Sequence, residues 1–145
     1  KRDGSKYDPI LLDNKKLKEM TLVTSKNHGN EVLRKLIQKI NFSKVTIMGS
    51  IGCKIASIVN GESDIYICLS LPGKSSPKDW DFAAPDSILK AAGGAITNLD
   101  NQELSYGKDS FEQGGIIVAT NDKKTHGRIC SEIKDIIQKN RIYPL

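Results

Sequence analysis

Residues 80–94, WDFAAPDSILKAAGG, decide how the rest of the sequence is interpreted. Asp81 stands where a loop passes into a predicted helix, and the unsatisfied backbone N–H groups of a first helical turn stabilise a carboxylate there. The paired glycines at 93 and 94 end that helix. Carboxylate oxygens facing a cleft suit a hard cation such as Mg²⁺. Taken alone, such an aspartate more often caps its helix than binds a metal, so the segments on either side must decide between these roles.

Apolar periodicity on both sides of this stretch predicts short strands that alternate with helices. Apolar residues recur at helical spacing in four segments, near residues 31–40, 51–59, 81–92 and 123–139. Short apolar runs predict five strands, at residues 20–24, 45–48, 64–69, 95–99 and 116–119. This alternation indicates an α/β domain built in layers. Residues 1–20 show no period and are predicted to form an irregular lead-in to a domain at residues 21–145.

The net charge of +5 raises the question of a nucleic-acid partner. The basic excess lies in residues 1–44, which hold 11 Lys and Arg against 5 Asp and Glu. Aromatic residues do not interleave with these lysines, as stacking of bases would require. We therefore interpret the basic segment as a solvated face and expect no nucleic-acid polymer as partner.

Other features of the sequence bear on the compartment. No apolar run approaches the roughly 20 residues that span a bilayer, so no membrane partner is expected. The chain opens on Lys1 with no apolar segment behind it, which argues against a signal peptide and suggests a processed or truncated chain. Cys53, Cys68 and Cys130 match no zinc or redox spacing, and we expect a reducing, cytoplasmic setting.

The pattern Trp-Asp-x-x-Ala-Pro followed by Ala-Gly-Gly, in residues 80–94, resembles the second signature of the inositol monophosphatase-like metal-dependent phosphatases. Three further segments resemble the 3'(2'),5'-bisphosphate nucleotidase branch of that superfamily. They are a small-x-x-His segment at residues 25–28, a glycine-rich loop ending in Lys at 49–54, and Gly-x-x-Asp-x-Tyr at 61–66. Order and spacing agree with the family from about Thr21 to Asn121.

The resemblance implies a layered mixed sheet flanked by helices, the carboxyl-terminal domain of that fold. It also implies a Mg²⁺-dependent phosphomonoesterase whose substrates are bisphosphate nucleotides such as 3'-phosphoadenosine 5'-phosphate. Asp81 would be a metal ligand. Substrate contacts would come from Ser25, His28, Ser50 and Lys54. Physical chemistry agrees in part, because a helix that begins at Ser50 offers an anion site at its N-terminus. Lys54, one turn along, would add a point charge.

Most of the family's metal-binding residues are not in this sequence. The family uses a Glu and an Asp-Pro-x-Asp-Gly-Thr signature, and the segment at Asp8-Pro9 lacks the second Asp and the Gly-Thr. One carboxylate cannot offset the repulsion in a two-metal site, so no catalytic residue is assigned. The chain alone is expected to be weakly active or inactive. Its partner would be a missing amino-terminal half or a second copy.

Two alternatives stay open at this point. The chain is the half of an inositol-phosphate phosphatase, or it is a non-catalytic module that binds a nucleotide or phosphate. Two further expectations concern individual side chains. His126 matches nothing in the family and is predicted to lie at the surface. The tip of Lys54 is expected at the rim of a cleft, outside the core.

Overall fold

A computed structural model describes residues 15–25, 31–70, 78–107 and 115–143. A short 3₁₀ helix, Leu17–Glu19, comes first. The five strands are β1 (Thr21–Ser25), β2 (Lys44–Met48), β3 (Ile65–Ser70), β4 (Ala95–Asn98) and β5 (Gly115–Thr120). The four helices are α1 (Glu31–Ile40), α2 (Ile51–Val59), α3 (Asp79–Ala91) and α4 (Lys123–Asn140). The predicted elements are therefore present, with bounds that shift by one or two residues.

The strands form one mixed sheet in the order β2-β1-β3-β5-β4. Strand β1 is parallel to β2 and β3, whereas β5 is antiparallel to both β3 and β4. Four strands thus run in one direction, and their carboxyl ends lie at the same edge of the sheet, which we call the carboxyl edge. The α/β fold with a layered mixed sheet, as expected from the sequence, is confirmed.

Strand alternation divides the core into two layers. Ile65, Ile67 and Leu69 of β3 point to one face of the sheet, where they pack with the apolar sides of α1 and α4. Tyr66 and Cys68 point to the other face, where they lie with the apolar sides of α2 and α3. The sheet is therefore covered by two helices on each face.

The first layer extends beyond the strands and helices. Leu17, the first residue of the 3₁₀ helix, and Met20, which follows that helix, are buried in the core beneath α1 and α4. The packed part of the chain therefore includes residues that precede β1.

Candidate functional site

The carboxyl edge brings together three of the segments singled out in the sequence. Ser25 is the last residue of β1 and is half-buried, and its Cα partner in β2 is Met48. Ser50 follows two residues later and begins α2. Helix α3 lies beside α2 on the same face of the sheet. Because β1 and β2 are parallel, their carboxyl ends must be neighbours, and the sheet topology accounts for the closeness of Ser25 and Ser50.

Ser50 is the N-cap of α2. Its backbone is extended, with φ −74° and ψ 162°, and its Oγ accepts a hydrogen bond of 3.1 Å from the backbone N–H of Cys53. This side chain satisfies one of the donors that a first helical turn leaves free. The remaining donors of that turn and the helix dipole make the exposed start of α2 suitable for an anion.

Lys54 is buried, with a relative exposure of only 2%. Its Nζ donates a hydrogen bond of 2.6 Å to the carbonyl oxygen of Gly49 and lies 5.4 Å from the centre of the Tyr66 ring. Burial lowers the pKa of Lys54, and the neighbouring thiols of Cys68 and Cys53 act in the opposite direction. The expectation that this side chain lies at a cleft rim outside the core was wrong. The aliphatic part of the Lys54 side chain is enclosed by the apolar surroundings of α2, and the Gly49 carbonyl accepts a hydrogen bond from its ammonium group.

Asp81 occupies the third position of α3. Its Oδ2 accepts a hydrogen bond of 2.8 Å from the backbone N–H of Lys78, which precedes the helix. One carboxylate oxygen is therefore already used to cap α3. Pro85 stands four residues on and has no N–H, so the α-helical hydrogen bond to the Asp81 carbonyl cannot form. The first turn of α3 thus carries both a carboxylate and a main-chain oxygen without its usual helical donor.

The Tyr66 side chain lies near both charged residues, Lys54 and Asp81. Burial raises the pKa of Tyr66 above its ordinary value, and Cys68 and the negative charge of Asp81 raise it further. The same ring faces the ammonium of Lys54. Lys54 and Asp81 are thus both close enough to Tyr66 to act on it, on the side of the sheet that α2 and α3 cover.

The described residues fit a metal ion only in part. Asp81 offers a carboxylate oxygen of the kind that Mg²⁺ prefers. Among residues 15–25, 31–70, 78–107 and 115–143, however, no group of three or more His, Cys, Asp or Glu side chains is placed to hold a metal. Asp79 accepts a hydrogen bond of 2.8 Å from the backbone of Gly107, and Asp86 is buried beneath Tyr106.

Some of the residues named from the sequence lie outside the described ranges. His28 is one of them, as is the Asp8-Pro9 segment. His28 therefore stays a prediction that follows from the resemblance.

His126 is buried, with 1% relative exposure, and the prediction that it lies at the surface was wrong. Its Nε2 lies 2.7 Å from Thr97 Oγ1 and its Nδ1 lies 2.8 Å from Thr120 Oγ1. Burial lowers the pKa of His126 to about 4, so the ring is neutral at pH 7. Helical spacing carried a usable signal, because Ile129 and Cys130 follow at three and four residues on the inward side of α4.

The mixed sheet with two helices on each face defines a layered α/β domain. Residues 4–138 match the Inositol monophosphatase family, so the chain belongs to that family. This membership confirms the family predicted from the signature at residues 80–94. No helix within the described parts of the chain is long and apolar enough to cross a membrane.

Curated relatives include 3'(2'),5'-bisphosphate nucleotidase 1 of the mouse, which is 31% identical over 100 residues, 68% of this chain and 31% of the relative. Inositol monophosphatase 3 of Xenopus tropicalis is 26% identical over 134 residues, 88% of this chain and 36% of the relative. The chain thus spans about a third of the length of these relatives.

Solved structures share the fold. Inositol monophosphatase-II of Staphylococcus aureus superposes with a TM-score of 0.63 at 20% identity, covering 90% of this chain and 46% of that one. Inositol monophosphatase of Anabaena gives a TM-score of 0.57 at 23% identity, covering 83% and 45%. In each case the similarity extends over less than half of the longer protein.

Proposed function

We propose that this chain is the substrate-side part of a Mg²⁺-dependent phosphomonoesterase that hydrolyses 3'(2'),5'-bisphosphate nucleotides, such as 3'-phosphoadenosine 5'-phosphate. The observation that carries the proposal is the arrangement at the carboxyl edge in a member of the inositol monophosphatase family. There the end of β1 at Ser25 lies beside the capped start of α2 at Ser50. The similarity to the mouse bisphosphate nucleotidase favours a nucleotide as substrate.

In this proposal the start of α2 binds a phosphate group of the substrate. The N–H groups of the first turn and the helix dipole favour an anion there, and Ser50 fixes where the helix begins. Ser25 and His28 are the further substrate contacts. Lys54 contributes to phosphate binding through its positive charge. Its ammonium group is buried and donates a hydrogen bond to the Gly49 carbonyl, so solvent screens this charge little.

Asp81 is the proposed metal ligand of this chain. It would hold Mg²⁺ through the carboxylate oxygen that does not accept from Lys78. Mg²⁺ keeps several waters and commonly binds through one or two carboxylates together with phosphate oxygens, so the ion would need the substrate as a co-ligand. When bound, the metal neutralises charge on the phosphate and activates a water for attack. The further carboxylates would come from a missing amino-terminal half or a second copy, and the chain alone would be weakly active or inactive.

The proposed setting is the cytoplasm. Cys53, Cys68 and Cys130 are free thiols, which agrees with a reducing compartment.

Titration of the purified chain with adenosine 3',5'-bisphosphate, with and without Mg²⁺, tests the assignments. Asp81→Asn should remove the Mg²⁺-dependent gain in affinity and leave metal-free binding unchanged or slightly stronger, since a negative charge near the anion is lost. Asp135→Asn is the matched control, because Asp135 is exposed on α4, on the opposite face of the sheet. If Asp81→Asn kept the full Mg²⁺ dependence, the metal assignment would fail.

The same protein can be assayed for phosphate release from the bisphosphate nucleotide and from an inositol monophosphate. Little turnover of either is expected from the isolated chain. Inositol phosphate remains the competing substrate class because an inositol monophosphatase is among the relatives. Rapid, Mg²⁺-dependent turnover by a contaminant-free sample would refute the need for carboxylates from elsewhere.

A non-catalytic phosphate-binding module is the second candidate. It is favoured by the lack of a metal-binding cluster among the described residues. Nucleotide affinity that is the same with and without Mg²⁺ in the wild-type chain would support it over the phosphatase.

A further inference from the structure

Residues 103–107 follow the turn after β4, and we call this segment the strap. Strand β4 ends at Asn98, whose Oδ1 accepts hydrogen bonds of 2.9 Å and 3.0 Å from the backbone N–H groups of Asp100 and Gln102. The backbone N–H of Asn98 donates in turn to the Gln102 carbonyl at 3.0 Å. The chain therefore turns back on itself immediately before the strap.

The strap contacts helix α3 at three levels, through side chains on one side of the helix. From the last turn of α3 to its first residue, these contacts are Lys90 with Glu103, Asp86 Oδ2 with the hydroxyl of Tyr106 at 2.8 Å, and Asp79 Oδ2 with the backbone N–H of Gly107 at 2.8 Å. Their helix positions are separated by four and then seven residues, which is the spacing of one side of a helix. As the strap advances along the chain, its contacts move toward the start of α3, so the two run antiparallel.

The middle of the strap is fixed by burial and by a persistent donor. Leu104 is partly buried and packs against the core on the side of the sheet that α2 and α3 cover. Burial, the hydrogen bond to Asp86 and the nearby charge of Asp79 raise the pKa of Tyr106. The phenol therefore stays protonated at neutral pH and continues to donate to Asp86, which is itself buried.

The strap ends beside the turn that carries Asp81. The backbone N–H of Asp81 donates to the Lys78 carbonyl at 3.0 Å, and Asp81 Oδ2 accepts from the Lys78 N–H. These bonds join the first turn of α3 to the residue before the helix, whereas Asp79 joins the same turn to the strap. Mg²⁺ demands near-ideal octahedral geometry with oxygens at about 2.0–2.1 Å, so the position of this turn matters for a carboxylate ligand.

We propose that the strap positions the first turn of α3, and with it the carboxylate of Asp81. The hydrogen bond from the Gly107 N–H to Asp79 is the contact through which it acts, so Asp79 is a positioning residue and not a metal ligand. The consequence for metal binding rests on the proposed function of Asp81. The coupling of strap and helix rests on contacts internal to the chain, and these do not depend on what covers its outer surface.

Hydrogen exchange followed by NMR tests the coupling without any metal. Asp79→Ala removes the acceptor of the Gly107 N–H, so the Asp81 N–H should exchange at least about tenfold faster. The Cys53 N–H, which is bonded to Ser50 Oγ in the first turn of α2, should keep its wild-type rate. A purely global loss of stability would change neither rate, because exposed first turns exchange through local opening.

The Mg²⁺-dependent gain in affinity for adenosine 3',5'-bisphosphate tests the consequence for the site. Asp79→Ala should reduce this gain about fivefold or more. Asp79→Asn keeps an oxygen that accepts from the Gly107 N–H but removes the charge, so it should retain the wild-type gain. An equal loss in the two variants would show that the charge of Asp79 matters and not its hydrogen bond, and would overturn the positioning role.

Tyr106→Phe releases the strap from its own side and should also speed exchange of the Asp81 N–H, so the test does not depend on the folding of Asp79→Ala. Asp100→Ala is the matched control, because Asp100 lies on the same connection but pairs with Lys134 of α4 at 2.6 Å. A wild-type exchange rate at Asp81 in both strap variants overturns the proposal, as does an equal acceleration in Asp100→Ala. Absence of any Mg²⁺-dependent gain in the wild-type chain would count against the proposed metal site, while the exchange rates would still decide whether the strap positions the turn.

Discussion

Lys54 Nζ and the carbonyl oxygen of Gly49 are joined by a hydrogen bond of 2.6 Å that closes the loop between β2 and α2. The lysine is nearly inaccessible to solvent, so its four-carbon stem packs like an apolar side chain while its charged end is held by the backbone. The loop that presents Ser50 and the start of α2 is thus supported from the inside of the domain.

Two substitutions at Lys54 should separate packing from charge. Lys54→Ala leaves a cavity and should lower the free energy of unfolding by about 3 kcal/mol. Lys54→Met keeps most of the stem and removes a desolvated charge, so it should cost less than about 1 kcal/mol. Both should weaken binding of adenosine 3',5'-bisphosphate about tenfold, because one charge-assisted contribution is lost. Urea unfolding and calorimetric titration measure the two effects.

Lys35→Met is the control for the Lys54 substitutions, since Lys35 is exposed on α1. It should change neither stability nor affinity measurably. Full affinity in a folded Lys54→Met protein would show that the ammonium contributes nothing to anion binding.

The pH dependence of stability should carry the signature of His126. Its folded pKa of about 4 lies below the unfolded value of about 6.5, so the unfolded state takes up the proton first. The contribution of the neutral His126 ring to the free energy of unfolding is therefore complete above about pH 6.5, and it is lost as the pH falls toward 4. The loss should be on the order of 3 kcal/mol.

His126→Gln provides the comparison, because a glutamine can donate and accept at this position but does not titrate. Denaturant unfolding of both proteins at several pH values gives the difference, which removes the effect of the other titrating groups. If the two stability curves ran parallel between pH 6.5 and pH 4, the burial of a neutral His126 would be contradicted.

Tyr106 and Asp86 form a contact that anchors residues 103–107 to helix α3. The phenol hydroxyl donates a 2.8 Å hydrogen bond to Asp86 Oδ2, while Asp86 Oδ1 is buried and lies 3.6 Å from Lys90 Nζ, an ion pair beyond hydrogen-bond distance. Tyr106→Phe should therefore lower stability by about 1.5 kcal/mol, the lower end for a hydrogen bond to a charged group, because Tyr106 is partly exposed.

A double-mutant cycle with Asp86→Asn isolates the interaction of this pair. Tyr143→Phe serves as comparator, since its hydroxyl donates to a neutral acceptor, the Ser70 carbonyl, at 3.2 Å. It should cost less than Tyr106→Phe. Equal costs, or strictly additive effects in the cycle, would argue against the Asp86 contact.

Gly94 lies where helix α3 turns into β4, and it has no space for a side chain. A Cβ placed there would lie 2.4 Å from the carbonyl oxygen of Thr120 and 2.7 Å from Leu89 Cδ1. Gly94→Ala should therefore cost about 3 kcal/mol, because the backbone of β5 must move.

Gly52→Ala is the matched control, because the nearest atom to its added Cβ is Ser50 Oγ at 3.7 Å. In a helix this change should be neutral or stabilise by up to about 1 kcal/mol. Thermal unfolding of the two variants gives the comparison. A Gly94→Ala protein as stable as wild type would contradict the close packing of α3 on β5.

The sequence by itself determined the strands and helices of the domain and the family to which it belongs. Apolar spacing located the five strands and four helices of the described residues to within two residues. The signature at residues 80–94 identified the family, and a capping serine marked the start of α2. These features follow from local rules, since helical and strand periods and capping depend on residues close together in the chain.

Only the tertiary structure decided the environment of the charged and polar side chains. Lys54 and His126 both stand at helical spacing with buried isoleucines, so periodicity placed them inward, but residue type argued for the surface. The contacts of each side chain resolve this conflict. Lys54 contacts Gly49 and Tyr66. His126 contacts Thr97 and Thr120. Thr97 is 29 residues from His126 and meets it only because β4, β5 and α4 pack together. A buried polar group is stable only when such a partner is in reach, and that condition is set by the packed fold.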